Sequence, residues 1–163
     1  HIWRPYGGTE MEYPIRKHPR LRAYDYSQNG GYFITICTRS RAPLFWDASG
    51  VLSPTGEIAS GCLREIPAHI QGVLLDEYCV MPDHIHVILL LENVGPPYMA
   101  ADRSKQTVSR AVQQFKAAVS RRSGRKGLWQ SGYYDHVIRN DTDLAETRQY
   151  IANNPLNWTL NKD

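Results

Sequence analysis

Residues 84–91, His-Ile-His-Val-Ile-Leu-Leu-Leu, constrain the fold most because two titratable rings begin a strongly apolar run. Side chains alternate faces along a β-strand, so His84 and His86 are predicted to share one face, with Ile85 and Val87 on the other. Beyond His86 both faces are apolar, which is typical of a central strand covered by helices on each side. The segment therefore predicts a layered sheet whose central strand begins with a pair of histidines.

Periodicity and turn residues predict seven elements in the order strand, helix, strand, strand, helix, strand, helix. That order indicates an α+β, ferredoxin-like antiparallel sheet with helices and an appended C-terminal helix. The last helix is predicted to begin near Asp141 or Asp143, with Asp143 and Glu146 as a capping box, and to stop before Pro155. Strands are predicted over 32–38, 73–80, 84–91 and 133–138, and the first two helices over 53–70 and 106–122.

The 163 residues are enough for one domain with a proper core. We expect a single domain over 24–163, preceded by an N-terminal basic arm over 1–23. The longest apolar run, 87–91, is too short to span a membrane, and no apolar secretory core is present, so a cytoplasmic location is expected. No glycine-rich phosphate loop ends in Lys-Ser/Thr, so nucleotide-driven chemistry is not indicated. The three cysteines, which lack a CxxC spacing, are predicted to be reduced core residues.

Basic charge is concentrated in two parts of a chain whose net charge is only +3. Between positions 102 and 127 there are eight basic residues against one acid. Such clusters suit a polyanion such as nucleic acid, although a solvated helix face beside a flexible arm is the alternative. The basic residues predicted to bind DNA are Arg16, Lys17, Arg20, Arg22, Arg110, Lys116, Arg121 and Arg122.

The histidine pair has two interpretations. Neutral imidazoles bind divalent ions and, together with oxygen ligands, tolerate Mg²⁺ or Mn²⁺. A structural zinc is not indicated because four suitable ligands are not apparent. The alternative is that His84 and His86 are two half-exposed histidines at the end of a strand.

Tyr150 and Asn154 are a second candidate pair because residues four apart lie on the same face of a helix. A tyrosine can act as a covalent nucleophile at phosphorus where a metal polarises the phosphate. The asparagine carbonyl oxygen is a suitable third ligand beside two histidines. The alternative is a tyrosine packed on the sheet and an asparagine that caps the helix C-terminus.

Four further side chains are weaker candidates. His136 lies in the last strand and can approach the site, although a structural role is the alternative. Tyr133 and Tyr134 are rival nucleophiles, and by alternation they face opposite ways, so at most one of them reaches the metal. Asp83 either shapes the turn or orients the imidazole of His84.

Taken together, these segments resemble the Y1 family of HUH single-strand DNA transposases, the IS200-like group, with the closest likeness to its REP-associated tyrosine transposases. The likeness runs in family order over nearly the whole chain. The matching stretches are Tyr24-Asp25-Tyr26-Ser27, residues 32–38, 80–86, Phe115-Lys116, Leu128-Trp129-Gln130, residues 133–139 and 150–155.

The resemblance implies a role for each matching position. His84 and His86 match the pair that holds the divalent metal, Mg²⁺ or Mn²⁺. Tyr150 matches the nucleophile, and Asn154 matches the polar residue that completes the metal shell. Asp83 stands where many members have asparagine. Exposed aromatic residues such as Trp129 or Tyr133 are expected to stack on unpaired bases.

The implied function is a metal-dependent single-strand DNA endonuclease and strand transferase that acts in DNA transposition and recombination. It would cleave at hairpin or palindromic repeat DNA through a 5′-phosphotyrosine intermediate. The protein would act as a monomer or a homodimer and would not associate with a membrane. Two alternatives stay open at this point. One is a non-catalytic protein that binds hairpin DNA or RNA, and the other is a metal-dependent phosphoesterase that uses water.

Overall fold

The described part of the chain folds into one four-stranded antiparallel sheet with three α-helices. The computed structural model describes residues 30–92 and 97–160, except for the side chains of 97–106. The strand order is β2-β3-β1-β4 and every neighbouring pair is antiparallel, so the predicted ferredoxin-like α+β plan is confirmed. The elements are β1 Gly31–Cys37, α1 Pro54–His69, β2 Val73–Val80, β3 His84–Leu91, α2 Pro97–Ser123, β4 Tyr134–Ile138 and α3 Asp141–Leu160.

Strand alternation divides the core between the two faces of the sheet. Ile34 and Ile36 of β1 point to the face that packs against α1 and α2. The larger hydrophobic core lies on this face and includes Phe115 of α2. Phe33 points to the opposite face, where it packs in a smaller cluster with Ile151 of α3. The central strand β3 is therefore covered by helices on both faces, as its uninterrupted apolar sequence predicts.

The first helix begins where its sequence predicts. The Oγ atom of Ser53 accepts a hydrogen bond from the backbone N–H of Gly56 at 3.1 Å, and Pro54 occupies the first helical position. Both features are preferred at helix starts, since the cap satisfies an unpaired amide and proline has none to satisfy.

Two helix boundaries differ from the prediction. The second helix begins at Pro97, nine residues before the predicted position 106, because a proline is as compatible with the first turn of a helix as with a break. The last helix continues through Pro155 to Leu160 instead of stopping before the proline. A proline removes one hydrogen bond, and the packing of Ile151 and Trp158 on the sheet holds the helix on both sides of it.

The predicted capping box at the start of α3 is also wrong. The side-chain oxygen of Asn140 accepts from the backbone N–H of Asp143 at 2.8 Å, so Asn140 is the cap. Asp143 lies inside the first turn, where its carboxylate accepts a hydrogen bond from the N–H of Arg139. Asn140 satisfies unpaired amides of the first turn as an aspartate cap would. The spacing of the acidic residues alone therefore does not show which residue is the cap.

Several other expectations meet the structure only in part. The predicted N-terminal arm, 1–23, lies outside the described residues. Cys37, Cys62 and Cys79 are buried and none forms a disulfide, so their predicted place in the core is confirmed, whereas their reduced state stays a prediction. Among the described helices, none has the length and apolar character needed to cross a membrane.

Candidate active site

The two histidines at the start of β3 lie side by side in the interior. His84 is 3% exposed and His86 is 0% exposed, and their ring centroids are 4.7 Å apart. The predicted common face is therefore confirmed. The alternative of two half-exposed histidines at a strand end is wrong, because α3 covers this face of the sheet.

Each imidazole is oriented through its Nδ1 atom. Nδ1 of His84 lies 2.6 Å from Oδ1 of Asp83, and Nδ1 of His86 lies 2.9 Å from Oγ1 of Thr35. When Nδ1–H donates in both contacts, Nε2 carries the lone pair and is the nitrogen that a metal would use. The contact to Asp83 has the geometry that an orienting role requires, and the role itself stays a prediction.

Burial governs the protonation of this cluster. Removal from water lowers the pKa of His86 well below its usual value, and the nearby His84 and Arg41 lower it further. Burial also lowers the pKa of His84, against the opposing effect of Asp83. Burial raises the pKa of Asp83, but the hydrogen bond from His84 and the charge of Arg41 oppose this effect, and the net shift of the pKa is downward. At neutral pH the site therefore holds neutral imidazoles beside an ionised carboxylate.

The last helix brings Tyr150 to the histidines and carries Asn154 one turn further on. The ring of Tyr150 meets that of His86 edge to face at a centroid separation of 5.5 Å, and it meets Phe33 in the same way at 6.0 Å. Asn154, one turn later, is 6% exposed. Since α3 runs on to Leu160, the alternative in which Asn154 caps the helix C-terminus is wrong.

The donor set fits a hard divalent ion. Two imidazole nitrogens and one amide oxygen are suitable ligands for Mg²⁺ or Mn²⁺ when phosphate oxygens or water complete the shell. The buried Nδ2 atom of Asn154 makes no hydrogen bond to a described residue, and a half-turn of the amide puts Oδ1 in its place. Within 30–92 and 97–160, no group of three histidine, cysteine, aspartate or glutamate side chains is placed to hold a metal.

The weaker candidates divide between the two faces of the sheet. The hydroxyl of Tyr133 lies 2.9 Å from Oγ of Ser109 on the face covered by α1 and α2. Tyr134 is 41% exposed and pairs with Thr35, the partner of His86. The predicted opposite orientation of the two tyrosines is thus confirmed. Of these two, Tyr134 is the one that shares a face with the histidines.

His136 is tied to the start of the last helix. Its Nε2 atom lies 3.0 Å from Oδ2 of Asp143, and both side chains are mostly buried. This contact joins β4 to α3. The alternative, structural role of His136 is therefore supported by a specific contact, the one with Asp143.

The predicted DNA-binding residues occupy different environments. Arg110 and Arg121 are exposed on α2. The guanidinium of Arg122 makes a bidentate ion pair with Glu65 of α1, with distances of 2.9 and 2.6 Å. The ammonium of Lys116 donates to two backbone carbonyls of the loop at 130–132. Arg16, Lys17, Arg20 and Arg22 lie outside the described residues.

The indole of Trp129 packs inward. Its ring lies 5.7 Å from that of Phe45 and 5.6 Å from that of Phe115, measured between centroids. Its N–H donates to the backbone oxygen of Lys116 at 3.0 Å. The expectation that Trp129 is an exposed aromatic is therefore wrong, because its ring packs in the core, and its stacking on bases stays a prediction.

Sequence reasoning missed two polar residues that contact the histidine cluster. Thr35 sits opposite His86 in the antiparallel register, and Arg41 makes an ion pair with Asp83 at 3.1 Å. A threonine in the alternating strand 32–38 is a usable signal once the strand pairing is known. Arg41 lies in an irregular turn, so no periodic pattern indicates it.

Comparison with known proteins identifies relatives over most of the chain. The family model described as "Transposase IS200 like" matches residues 27–154. An uncharacterized protein of Haemophilus influenzae is 32% identical over 161 residues, which cover 88% of this chain and 89% of that protein. A second Haemophilus influenzae protein, provisionally named a REP-associated tyrosine transposase, is 27% identical over 138 residues, with 81% of this chain and 73% of that one covered.

A solved structure has the same fold. The structure of a REP-associated tyrosine transposase bound to a REP hairpin superposes with a TM-score of 0.60 at 20% identity, over 87% of this chain and 73% of that chain. At that identity the likeness concerns the fold alone, whereas the family model covers most of the sequence. The chain therefore belongs to the IS200-like transposase family.

Proposed function

We propose that this protein is a metal-dependent single-strand DNA endonuclease and strand transferase that acts at hairpin or palindromic repeat DNA. The observation that carries the proposal is the juxtaposition of Tyr150 with the buried pair His84 and His86, whose ring centroids are 4.7 Å apart. A protein that only binds nucleic acid needs neither buried, Nδ1-oriented imidazoles nor a tyrosine beside them.

The proposed substrate follows from family and charge. A relative with the same fold is bound to a REP hairpin, so hairpin-bearing DNA is the substrate that we assign to this chain. Arg110 and Arg121, exposed on α2, are proposed phosphate contacts, together with the basic residues upstream of position 24. An exposed guanidinium suits this role because its contact with a DNA phosphate releases the counterions condensed on the DNA.

The proposed chemistry is a transesterification at phosphorus. A bound divalent ion supplies charge withdrawal from the scissile phosphate and a fixed orientation for it. The oxygen of Tyr150 attacks phosphorus, a P–O bond to tyrosine forms, and the bond from phosphorus to the 3′ oxygen breaks. The phenol loses one proton and the departing 3′ oxygen gains one, so the products are a 5′-phosphotyrosine and a 3′-OH with no net proton change. Attack by another 3′-OH reverses the step and joins strands without ATP.

The chain's own residues contribute position and enclosure. His84 and His86 would hold the ion through Nε2, because Asp83 and Thr35 engage the Nδ1 atoms. Asn154 would complete the protein ligands from the same helix that carries the nucleophile. Placing Tyr150 and Asn154 one turn apart on α3 fixes nucleophile and ligand relative to each other, which favours reaction by orientation.

The test is covalent trapping. The protein is incubated with end-labelled, hairpin-bearing single-stranded DNA and Mg²⁺ or Mn²⁺, and the products are separated under denaturing conditions. We expect a protein–DNA adduct that requires metal and is abolished in Tyr150→Phe. The matched control is Tyr134→Phe, which removes a hydroxyl from the same sheet face and should retain the adduct.

The alternative functions give different products. Cleavage without an adduct in the wild-type protein would identify a phosphoesterase that uses water. A mobility shift without cleavage would identify a binding protein. An adduct that survives in Tyr150→Phe and disappears in Tyr134→Phe would transfer the nucleophile assignment to Tyr134.

A further inference from the structure

Two consecutive residues after β1 have a backbone conformation that residues other than glycine rarely adopt. Ser40 and Arg41 have φ angles of 54° and 55°. Residues other than glycine visit this left-handed region uncommonly, and neighbours that do so persist only where the surrounding structure holds them. The turn at 39–41 is therefore a place where the fold maintains an unfavourable backbone.

Backbone contacts anchor this turn directly to the segment that precedes the histidines. The N–H of Thr38 donates to the carbonyl oxygen of Asp83 at 3.0 Å, and the Thr38 hydroxyl lies at hydrogen-bond distance from the same oxygen and from that of Ala42. Thr38 is fully buried. The position of the turn is thus fixed relative to Asp83 before any side chain of the turn is considered.

From this left-handed backbone the Arg41 side chain contacts Asp83. Nε donates to Oδ2 at 3.1 Å and Nη2 lies 3.4 Å from Oδ1, so the guanidinium fork spans the carboxylate. Nη1 lies 3.0 Å from Sγ of Cys37. The same Oδ1 atom lies 2.6 Å from Nδ1 of His84. One carboxylate is thereby held between a permanent cation and an imidazole.

We propose that Arg41 is a positioning residue of the metal site, an inference that rests on the proposed function. By fixing both oxygens of Asp83, Arg41 keeps Oδ1 as the acceptor for Nδ1–H of His84. The imidazole is then held as the tautomer whose Nε2 carries the lone pair, in one ring orientation. Nη2 of Arg41 also lies 3.4 Å from Nδ1 of His84, a much longer contact than the 2.6 Å from Nδ1 to Oδ1 of Asp83, so the carboxylate is the partner that sets the tautomer.

The strain separates this role from an ordinary structural ion pair. The Arg41 side chain is 32% exposed, and a pair at that exposure adds little to stability. Glycine adopts the left-handed region without steric cost, so Arg41→Gly both removes the guanidinium and relieves the backbone strain. A stabilising ion pair predicts a less stable Arg41→Gly protein, whereas a positioning residue predicts a protein that folds well and binds metal poorly.

The experiment compares Arg41→Gly with Ser40→Gly. Ser40→Gly relaxes the adjacent left-handed residue and keeps the guanidinium, so it is the matched control. Mn²⁺ affinity is measured by electron paramagnetic resonance, and the tautomer of His84 is read from the imidazole nitrogen NMR spectrum of the metal-free protein. Arg41→Lys is the second variant, which keeps a cation and loses the bidentate fork.

For Arg41→Gly we expect Mn²⁺ binding weaker by about 10- to 100-fold and an increased fraction of the Nε2–H tautomer of His84. Arg41→Lys should fall between Arg41→Gly and the wild type, and Ser40→Gly should match the wild type in both readouts. Unchanged tautomer and affinity in Arg41→Gly would overturn the proposal. If the wild type itself binds no Mn²⁺, the proposed function fails at the metal, and the tautomer in the metal-free protein still decides the role of Arg41.

Discussion

The hydroxyl of Thr35 lies 2.9 Å from Nδ1 of His86, across the pairing of β1 with β3. Both residues are almost completely buried, so neither group can exchange this contact for water. The ring of His86 also stacks on Phe33, with centroids 5.2 Å apart. A hydrogen bond to Nδ1 and an aromatic contact with Phe33 together fix the orientation of the more deeply buried histidine.

Thr35→Val should weaken metal binding without removing a ligand. Valine has nearly the shape of threonine, so the sheet is kept while Nδ1 of His86 loses its partner. We expect metal affinity to fall by about 10- to 100-fold and unfolding free energy to fall by about 1–3 kcal/mol because a buried polar group is left unsatisfied. Calorimetric titration with Mn²⁺ and urea unfolding measure the two effects. Thr35→Ser keeps the hydroxyl and should retain most of the affinity; equal losses in both variants would contradict the role of the hydrogen bond.

The stability of the metal-free protein should decrease as pH falls below the ordinary histidine pKa. Burial lowers the pKa of His86 in the folded protein, with His84 and Arg41 as the nearby charges that lower it further. The unfolded chain therefore binds more protons below about pH 6.5, and stability rises with pH in that range. We expect the free energy of unfolding to drop by about 1 kcal/mol or more between pH 7 and 5.5, as measured by urea unfolding with a chelator present.

Two variants assign this pH dependence. His86→Gln removes the buried titrating ring, so the slope between pH 7 and 5.5 should become shallower. His69→Gln removes a histidine whose side chain is 63% exposed at the end of α1, and the slope should stay as in the wild type. A wild-type slope that survives in His86→Gln would show that the proton uptake occurs elsewhere.

The sequence predicts the elements and the histidine face because both follow from local periodicity. The alternation that places His84 and His86 on one face needs no knowledge of the neighbouring strands. The contacts of Thr35 and Arg41 depend on register and on a left-handed turn, which are settled by pairing between distant segments. The same limit explains Pro155, since packing of α3 on the sheet overrides a signal that is read one residue at a time.

The ion pair between Arg148 and Asp76 should control the rate of adduct formation more than it controls stability. The guanidinium donates to both carboxylate oxygens, at 2.8 and 2.6 Å, and holds α3 against the irregular part of β2 two residues before Tyr150. The hydrogen bond from Arg148 lowers the pKa of Asp76. Because the Arg148 side chain is 46% exposed, Arg148→Ala should cost only about 0.5–1 kcal/mol, while looser placement of the nucleophile should slow adduct formation about tenfold or more.

Single-turnover trapping and urea unfolding on the same variants test this separation. Asp76→Ala should resemble Arg148→Ala, and the double variant should be no slower than either single one if the two residues act as a pair. Glu65→Ala is the control, because it breaks an equally bidentate pair that joins α1 to α2, the helices on the face of the sheet opposite to α3. Equal slowing in Glu65→Ala would attribute the effect to general loosening of the fold.

Two glycines of α1 should respond to alanine in opposite directions. A Cβ atom at Gly56 would clash with the carbonyl oxygen of Phe45, a backbone atom that cannot rotate away, whereas nothing lies within 4 Å of a Cβ at Gly61. We expect Gly56→Ala to lower the free energy of unfolding by about 1–3 kcal/mol or more through overpacking. Gly61→Ala should raise it by about 0.5–1 kcal/mol, because alanine loses less conformational entropy in a helix.

Urea unfolding of both variants distinguishes close packing from helix propensity. If propensity alone governed α1, both substitutions would stabilise the protein, and the sign at Gly56 would contradict the close approach to Phe45. That approach also positions the segment before the histidines, since the backbone N–H of Phe45 donates to the carbonyl oxygen of Pro82 at 3.0 Å. Gly56→Ala should therefore weaken Mn²⁺ binding as well as stability, whereas Gly61→Ala should change stability alone.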